Sequence, residues 1–312
     1  MQRKYDVITA LDICVDFIVQ CGNIEPEFGQ KEKLIQDYDI EMGGSTCIFA
    51  CQASKLTLKT AGIGVVGDDT FGRVVMDKFY KSGMNIDKIR TDKNIKTAVG
   101  VALCKEDGDR AILTYIGTID AVHPQDITEE IISNAKHLHI GSFYLMNKLR
   151  GNYIEILQLA KKHNVTVSLD TNWDPEEKWD GGIWDILPYV DIFLPNENEA
   201  KAITKKNSIE EAIEVLSKIV PVIALKMGKH GAVAYVEGKT YKGSPIDVKV
   251  VDTVGAGDSF DAGFVYGYIK GHSIEECLQI GCICGSYNAA QSGGIKGQPK
   301  LNELLKVLYA IK

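Results

Sequence analysis

No apolar run in the sequence approaches the roughly 18–20 residues needed to cross a bilayer. Met1-Gln2-Arg3-Lys4-Tyr5-Asp6 leads straight into Val7-Ile8-Thr9-Ala10, without the shape of a secretory leader. The eight cysteines contain no C-x-x-C pair, which argues against a structural metal cluster. Cys47 and Cys51, one helical turn apart, and Cys282 and Cys284 in an apolar stretch read as buried thiols rather than ligands. There is no G-x-x-x-x-G-K-[ST], so this is not a P-loop kinase. Basic charge is in deficit, with 35 Lys and Arg against 42 Asp and Glu and a net charge of −7. That is the wrong sign for a general nucleic-acid binder, which needs a basic face for phosphates. Linkers, low-complexity tracts and internal repeats are also missing. The expectation is a cytoplasmic, reduced protein, bound neither to membrane nor to nucleic acid; its 45% hydrophobic content suffices for a sizeable core.

What is present alternates between strand and helix. Helix Asn152–His163 precedes strand Val165–Leu169, and Val190–Leu194 is a further strand stopped by Pro195. Ser208 and Glu211 form a capping box for a helix with the stripe Ile209, Ala212, Ile213, Leu216 and Ile219, followed by strand Val222–Leu225. This order implies a mostly parallel sheet with helices on both faces and ligands at the carboxyl ends of its strands. Two segments break the rhythm. Val15–Gln20 and Leu34–Met42 read as strands, and Thr97–Cys104 with Arg110–Tyr115 form a hairpin around Glu106–Asp109. Together they predict a small β lid. The expected organisation is a single α/β domain, 1–312, with lid insertions at about 15–41 and 96–116.

The strongest local signal is Val251-Asp-Thr-Val-Gly-Ala-Gly-Asp-Ser-Phe-Asp-Ala-Gly-Phe264. Gly255 and Gly257 allow a tight turn, with helical residues from Asp258 to Lys270. The amides of Gly255, Ala256 and Gly257 would point at an anion where the helix dipole also favours one. Asp258 in the same turn suits a base that removes a hydroxyl proton while the amides hold phosphoryl oxygens. A glycine turn capping a helix is the plain alternative for a bare G-x-G, but the full string is far more specific.

Asp252 through Phe264 resembles the C-terminal signature of the ribokinase-like, PfkB-type carbohydrate kinases, and the resemblance covers essentially the whole chain. It implies a ribokinase-like fold, with Asp258 as catalytic base and Gly255, Ala256 and Gly257 as anion hole. Met42-Gly43-Gly44-Ser45 resembles the glycine pair that approaches substrate, and Asp16 the early Asp that grips substrate hydroxyls. Gly64–Gly72 resembles the run that closes the N-terminal half. Asn196 and Glu199 match an N-x-x-E near the Mg²⁺–phosphate network, and Lys226-Met-Gly-Lys-His-Gly231 a nucleotide-binding turn. The implied ATP contacts are Asn196, Lys226, Gly228, Gly231 and Gly257. The resemblance also implies Mg²⁺ held through water by Glu199, a K⁺ site at Asp252, the Val254 carbonyl and Ser292–Gly294, and a homodimer through the lid.

Each position has a structural alternative. Asn196 can simply start a helix with Glu199 in its first turn, Asp16 can face solvent, and Lys226 can be a solvated strand-end lysine. Gly228 and Gly231 suit a close backbone approach to ATP. Leu169–Pro175 resembles a strand-end run of sugar kinases, or is a capped turn before Pro175. The family commonly has Asn where this sequence has Ile48, which leaves fewer polar groups for a sugar. Gly62–Gly67 fits the G-x-G-x-x-G of a dinucleotide-binding dehydrogenase, but its apolar run continues through Val65-Val66, with the helix start near Asp69-Thr70. The expected activity is phosphorylation of a sugar or sugar-acid hydroxyl by ATP. A nucleoside kinase and a catalytically silent sugar-binding regulator are the alternatives.

Overall fold

Neighbouring residues in the central strands point into different cores. Val7, Ile192 and Val222 face one apolar cluster, while Ile8, Phe193 and Ile223 face another. Strands buried on both sides are what a parallel sheet sandwiched by helices requires. The computed structural model describes residues 3–106 and 110–311; residues 107–109 of the expected hairpin turn lie outside the described residues.

In chain order the strands are β1 (Tyr5–Ala10), β2 (Cys14–Gly22), β3 (Asp37–Gly43), β4 (Thr60–Gly67), β5 (Asn85–Asp92), β6 (Ala98–Lys105) and β7 (Arg110–Tyr115). They continue with β8 (Ala135–Ile140), β9 (Thr166–Leu169), β10 (Ile192–Phe193), β11 (Val222–Lys226), β12 (Ala232–Val236) and β13 (Lys239–Gly243). The helices are α1 (Ser45–Lys55), α2 (Thr70–Ser82), α3 (Glu129–Ser133), α4 (Asn147–Arg150), α5 (Tyr153–Lys162) and α6 (Ile183–Ile186). After these come α7 (Glu197–Thr204), α8 (Ile209–Leu216), α9 (Ala256–Lys270), α10 (Ile274–Ala289) and α11 (Leu301–Ala310).

Nine strands form the large sheet in the order β13-β12-β11-β10-β9-β8-β1-β4-β5, parallel except for the antiparallel edge β11-β12-β13. Helices α1, α9, α10 and α11 cover one face, and α3 to α8 the other. The glycines Gly62 and Gly64 lie inside β4, where any Cβ would run into Leu11 or Ile13. The dinucleotide alternative fails there, because the helix begins only at Thr70, capped by Asp69.

The second sheet has four strands in the order β3-β2-β6-β7. Its β3 begins at Asp37 rather than at Leu34, because pairing with β2 ends at Gln20 opposite Asp37 and Leu34 is left 80% exposed. Phe17, Tyr38, Ile40, Val101, Leu113 and Tyr115 share the face turned away from Asp16, as the register requires. Tyr38, Leu113 and Tyr115 are exposed there, with the Tyr38 ring 5.5 Å from Phe17.

Two histidines lie deep in the large sheet. His137 on β8 stands opposite Thr166 on β9, and His139 opposite Ser168. The His137 ring nitrogens reach Thr166 Oγ1 at 2.8 Å and Ser168 Oγ at 2.7 Å, and His139 Nδ1 reaches the same Ser168 hydroxyl at 2.8 Å. Burial pushes both imidazoles down to about 3, so both are neutral rungs of a polar ladder.

Candidate active site

Helix α9 starts at Ala256, two residues earlier than expected, with Gly255 at its N-cap in the left-handed region (φ 73°) and no side chain capping it. The Ala256 N–H turns back to Thr253 O at 3.2 Å. No acceptor for the Gly255, Gly257 or Asp258 N–H is found among the described residues, so the two glycine amides are open donors of the turn together with that of Asp258. A Cβ at Gly255 would clash with Gly294 and Ile48. Ile48 therefore serves as a floor under this turn, which accounts for an apolar residue at that position of α1.

Asp258 follows in the first turn and is buried. Burial, reinforced by Asp170 and Asp12 and opposed by Lys226 and a Ser45 hydrogen bond, pushes its carboxyl up to about 8. One helical turn on, Asp261 projects to the same side. Asp170 arrives from the end of β9, and ligand oxygens of Asp170, Asp258 and Asp261 lie within 4.8 Å of one another. Lys226, at the end of β11, inserts its amine among them, 2.7 Å from Asp170 and 3.1 Å from Asp261. Burial disfavours that ammonium, but Asp170, Asp261 and Glu199 outweigh it and hold its pKa above the ordinary lysine value. Asp170 is likewise kept ionised against its burial by Lys226, whereas burial pushes Asp261 up. The cluster is thus one buried cation shared among carboxylates of unequal acidity.

Asn196 and Glu199 stand beside it. The Asn196 side chain caps α7, accepting from Glu199 N at 2.9 Å. Glu199 reciprocates, taking Asn196 N at 2.9 Å and Asn196 Nδ2 at 2.6 Å. Helix initiation is therefore a role these two residues do fill. Burial, with Asp170 adding to it, raises Glu199 to about 7.

Over residues 7–301 the chain matches the model of the pfkB family carbohydrate kinases. It belongs to that family. A sugar kinase of Archaeoglobus fulgidus is 31% identical over 248 residues, covering 79% of this chain and 98% of its own. An ATP-dependent 6-phosphofructokinase of Thermoanaerobacterium thermosaccharolyticum is 27% identical over 99% of this chain and 95% of its own. Arabidopsis thaliana ribokinase, solved with ribose and ATP, superimposes with a TM-score of 0.84 at 24% identity, over 97% of this chain and 98% of that one.

In this carbohydrate kinase a second group gathers at the root of the small sheet. The Asp16 carboxylate lies against Gly43, where a Cβ would displace it, and beside Gly100. Gly44, at φ 87°, lets the chain pass over Asp12. Asp12, unremarked in the sequence, is buried and accepts from Ser45 N at 2.9 Å, Thr46 N at 3.1 Å, Thr46 Oγ1 at 2.6 Å and the Ser142 hydroxyl. Asn172 links the two groups: its Nδ2 donates to Ser45 Oγ at 2.8 Å and its Oδ1 accepts from Ser142 N at 2.7 Å. Ser45 in turn hydrogen-bonds to Asp258.

Asp252 and Val254 form a third group. Asp252 accepts from Val254 N and Gly293 N, both at 3.0 Å, and Asn288 Nδ2 donates to the Val254 carbonyl at 2.7 Å. Gly231 has a reason inside the sheet, since a Cβ there would strike Gly243 O, whereas Gly228 faces open space. The kinase also has a cavity of about 660 Å³, but its lining (Phe71, Lys96, Val99 and Tyr115 among others) includes none of these residues.

Asp261, Asp170 and Asp12 are the members that motif reading did not single out. Asp261 had a signal in its spacing of three from Asp258 on a helix. Asp12 had one in being the first acidic residue after an apolar strand.

Proposed function

We propose that the chain transfers the γ-phosphoryl group of ATP to a hydroxyl of a small sugar, with Asp258 as general base. The observation that carries this is a buried carboxylate, raised to about 8, in the same helical turn as two open backbone amides. A carboxylate poised near neutral pH can accept a hydroxyl proton, and preorganised amides hold charge that grows on the transferring group. Asp16 and Asn172 fit the role of orienting the sugar, the small sheet that of a lid excluding water. Lys226, 3.6 Å from where a Gly257 Cβ would stand, brings a positive charge beneath the turn, shared with Asp170 and Asp261. Asn196 and Gly228, past the carboxyl ends of β10 and β11, suit a nucleotide bound at that edge of the sheet.

Mg²⁺ would supply neutralisation of the phosphate charge. Glu199 fits as a partner of its water shell: each carboxylate oxygen takes one hydrogen bond from Asn196 and keeps a lone pair. Asp252 and the Val254 carbonyl suit a K⁺ ion, and the buried Asn288 Oδ1 beside them has no hydrogen-bond partner among the described residues. The exposed apolar face of the small sheet fits a second copy of the chain, giving a homodimer.

The decisive experiment measures ADP release across a panel of sugars, sugar acids and nucleosides, in K⁺ and in a bulky organic cation at equal ionic strength. A sugar that stimulates release supports the proposal. Stimulation by nucleosides alone moves the assignment to a nucleoside kinase, and no stimulation by any compound leaves a binding protein. Equal rates in both salts dispose of the K⁺ site.

A further inference from the structure

Glu41, on β3, stands directly across the strand pair from Asp16, so the two carboxylates share one face of the small sheet. Like charges in that register repel, yet Glu41 is buried to 4% exposure. Two lysines from opposite sides compensate it: Lys78 on α2, and Lys296 at 2.6 Å from the segment between α10 and α11. Burial works against the charge, but the two ammonium groups keep Glu41 ionised.

The segment that brings Lys296 also builds the anion turn. Gly293, at φ 80°, lies so close to Glu41 that a Cβ would sit 2.9 Å from its Cγ. The Gly293 N–H holds Asp252 at 3.0 Å. Gly294 backs Gly255, whose Cβ would come within 2.8 Å of the Gly294 Cα. Farther along, Lys55 Nζ holds Ile295 O at 2.6 Å, and Gln298 Nε2 donates to Ile48 O at 2.8 Å. A single short loop thus touches both the strand that faces Asp16 and the turn before Asp258.

We infer that the Glu41–Lys296 ion pair is a latch that sets the small sheet and the Asp252–Gly257 turn relative to one another. It acts on the reaction as a positioning device rather than by touching substrate. This rests on the kinase reading for its kinetic consequences, but not for its mechanical one. With the pair intact, placing a sugar against Asp16 fixes the strand that carries Glu41, and through Lys296 fixes the loop supporting the two open amides. Without it, the turn assembles independently of the sugar, and phosphate is lost to water more often. Lys296 suits a test because its side chain is 47% exposed, so it can be replaced without opening the core.

The experiment compares Lys296→Gln with the charge-conserving Lys296→Arg. For the sugar that the wild type accepts, Lys296→Gln should raise KM roughly five- to tenfold, within the range of ordinary site–site coupling. It should also raise the ADP formed per sugar phosphate, while Lys296→Arg stays near wild type in both. Independently of turnover, hydrogen exchange at the Val254 and Gly293 amides, both bonded to Asp252, should quicken in Lys296→Gln alone. Equal exchange in the Gln and Arg variants overturns the latch, as does a Gln variant with unchanged KM and coupling. Faster exchange in the Gln variant of a protein that phosphorylates no sugar would uphold the mechanical link and sink the kinase reading instead.

Discussion

Around Lys226, carboxylates from β9, α7 and α9 crowd into a buried volume and share one cation. On the outer face of the small sheet, Tyr38, Leu113 and Tyr115 stand 56%, 66% and 49% exposed. The first region places charge where water is scarce, which is costly unless every group has a partner. The second leaves apolar surface in water, which is costly unless something covers it. Each departs from the usual sorting of polar outside and apolar inside, and in opposite directions. The carboxylate cluster finds its cation within one chain and leaves the buried Asp261 Oδ1 without a hydrogen-bond partner among the described residues. The apolar face has no covering segment among the described residues, and the proposed second copy of the chain would supply one.

Replacing Asp258 by Asn gives the sharpest contrast. It should lower kcat by about 10²–10⁴, the usual worth of a positioned base, with ATP affinity in a direct binding assay little changed. Since a base must be deprotonated to work, wild-type kcat/KM should climb as pH rises toward about 8 and then level off. A variant with near-wild-type kcat would end the assignment.

Lys226→Met tests the cluster as structure. It strands Asp170 and Asp261 without their cation, and breaking such a buried pair typically costs about 3–5 kcal/mol. Denaturant melts should show that loss; a variant as stable as wild type would mean the carboxylates share protons well enough without the lysine.

At the other region, Leu113→Glu should convert a dimer to a monomer in sedimentation experiments while leaving the carboxylate cluster, and hence the fold's stability, within about 0.5 kcal/mol of wild type. If wild type itself sediments as a monomer, the apolar face does not pair copies.

The last test concerns acid. His137 and His139 have folded pKa values near 3, below the unfolded value near 6.5. The unfolded chain then binds more protons, so stability from this pair is fully present above about pH 6.5 and is lost progressively as pH falls toward 3. Replacing both by Asn should flatten that part of the stability–pH curve.

The layered sheet, most helices and the glycine turn before α9 were legible in the sequence because they depend on local periodicity and on one contiguous motif. Asp258 belongs to that class. Asp170 and Lys226 do not: they meet only because β9 and β11 flank β10, a matter of strand order that no spacing of residues reveals. Ile48 was legible as a departure but not in its meaning, since its contact with Gly255 and Gly294 joins α1 to two distant turns. The start of β3 was misplaced at Leu34 because apolar character was read as pairing, whereas pairing ends where β2 does.

The imidazole–hydroxyl ladder has a consequence for how the chain finds its native alignment. In a sheet buried on both faces, sliding β9 past β8 by two residues exchanges one apolar neighbour for another, and greasy packing barely notices. Thr166 and Ser168 notice, because each must meet a specific ring nitrogen on β8. The ladder therefore works as a key that admits one alignment of these strands. Asp170 and Asn172 come immediately after β9, so the same key determines how far they reach: a slipped strand would carry Asp170 past Lys226 and Asn172 away from Ser45. Two buried imidazoles thereby fix the address at which Asp170 and Asn172 are delivered.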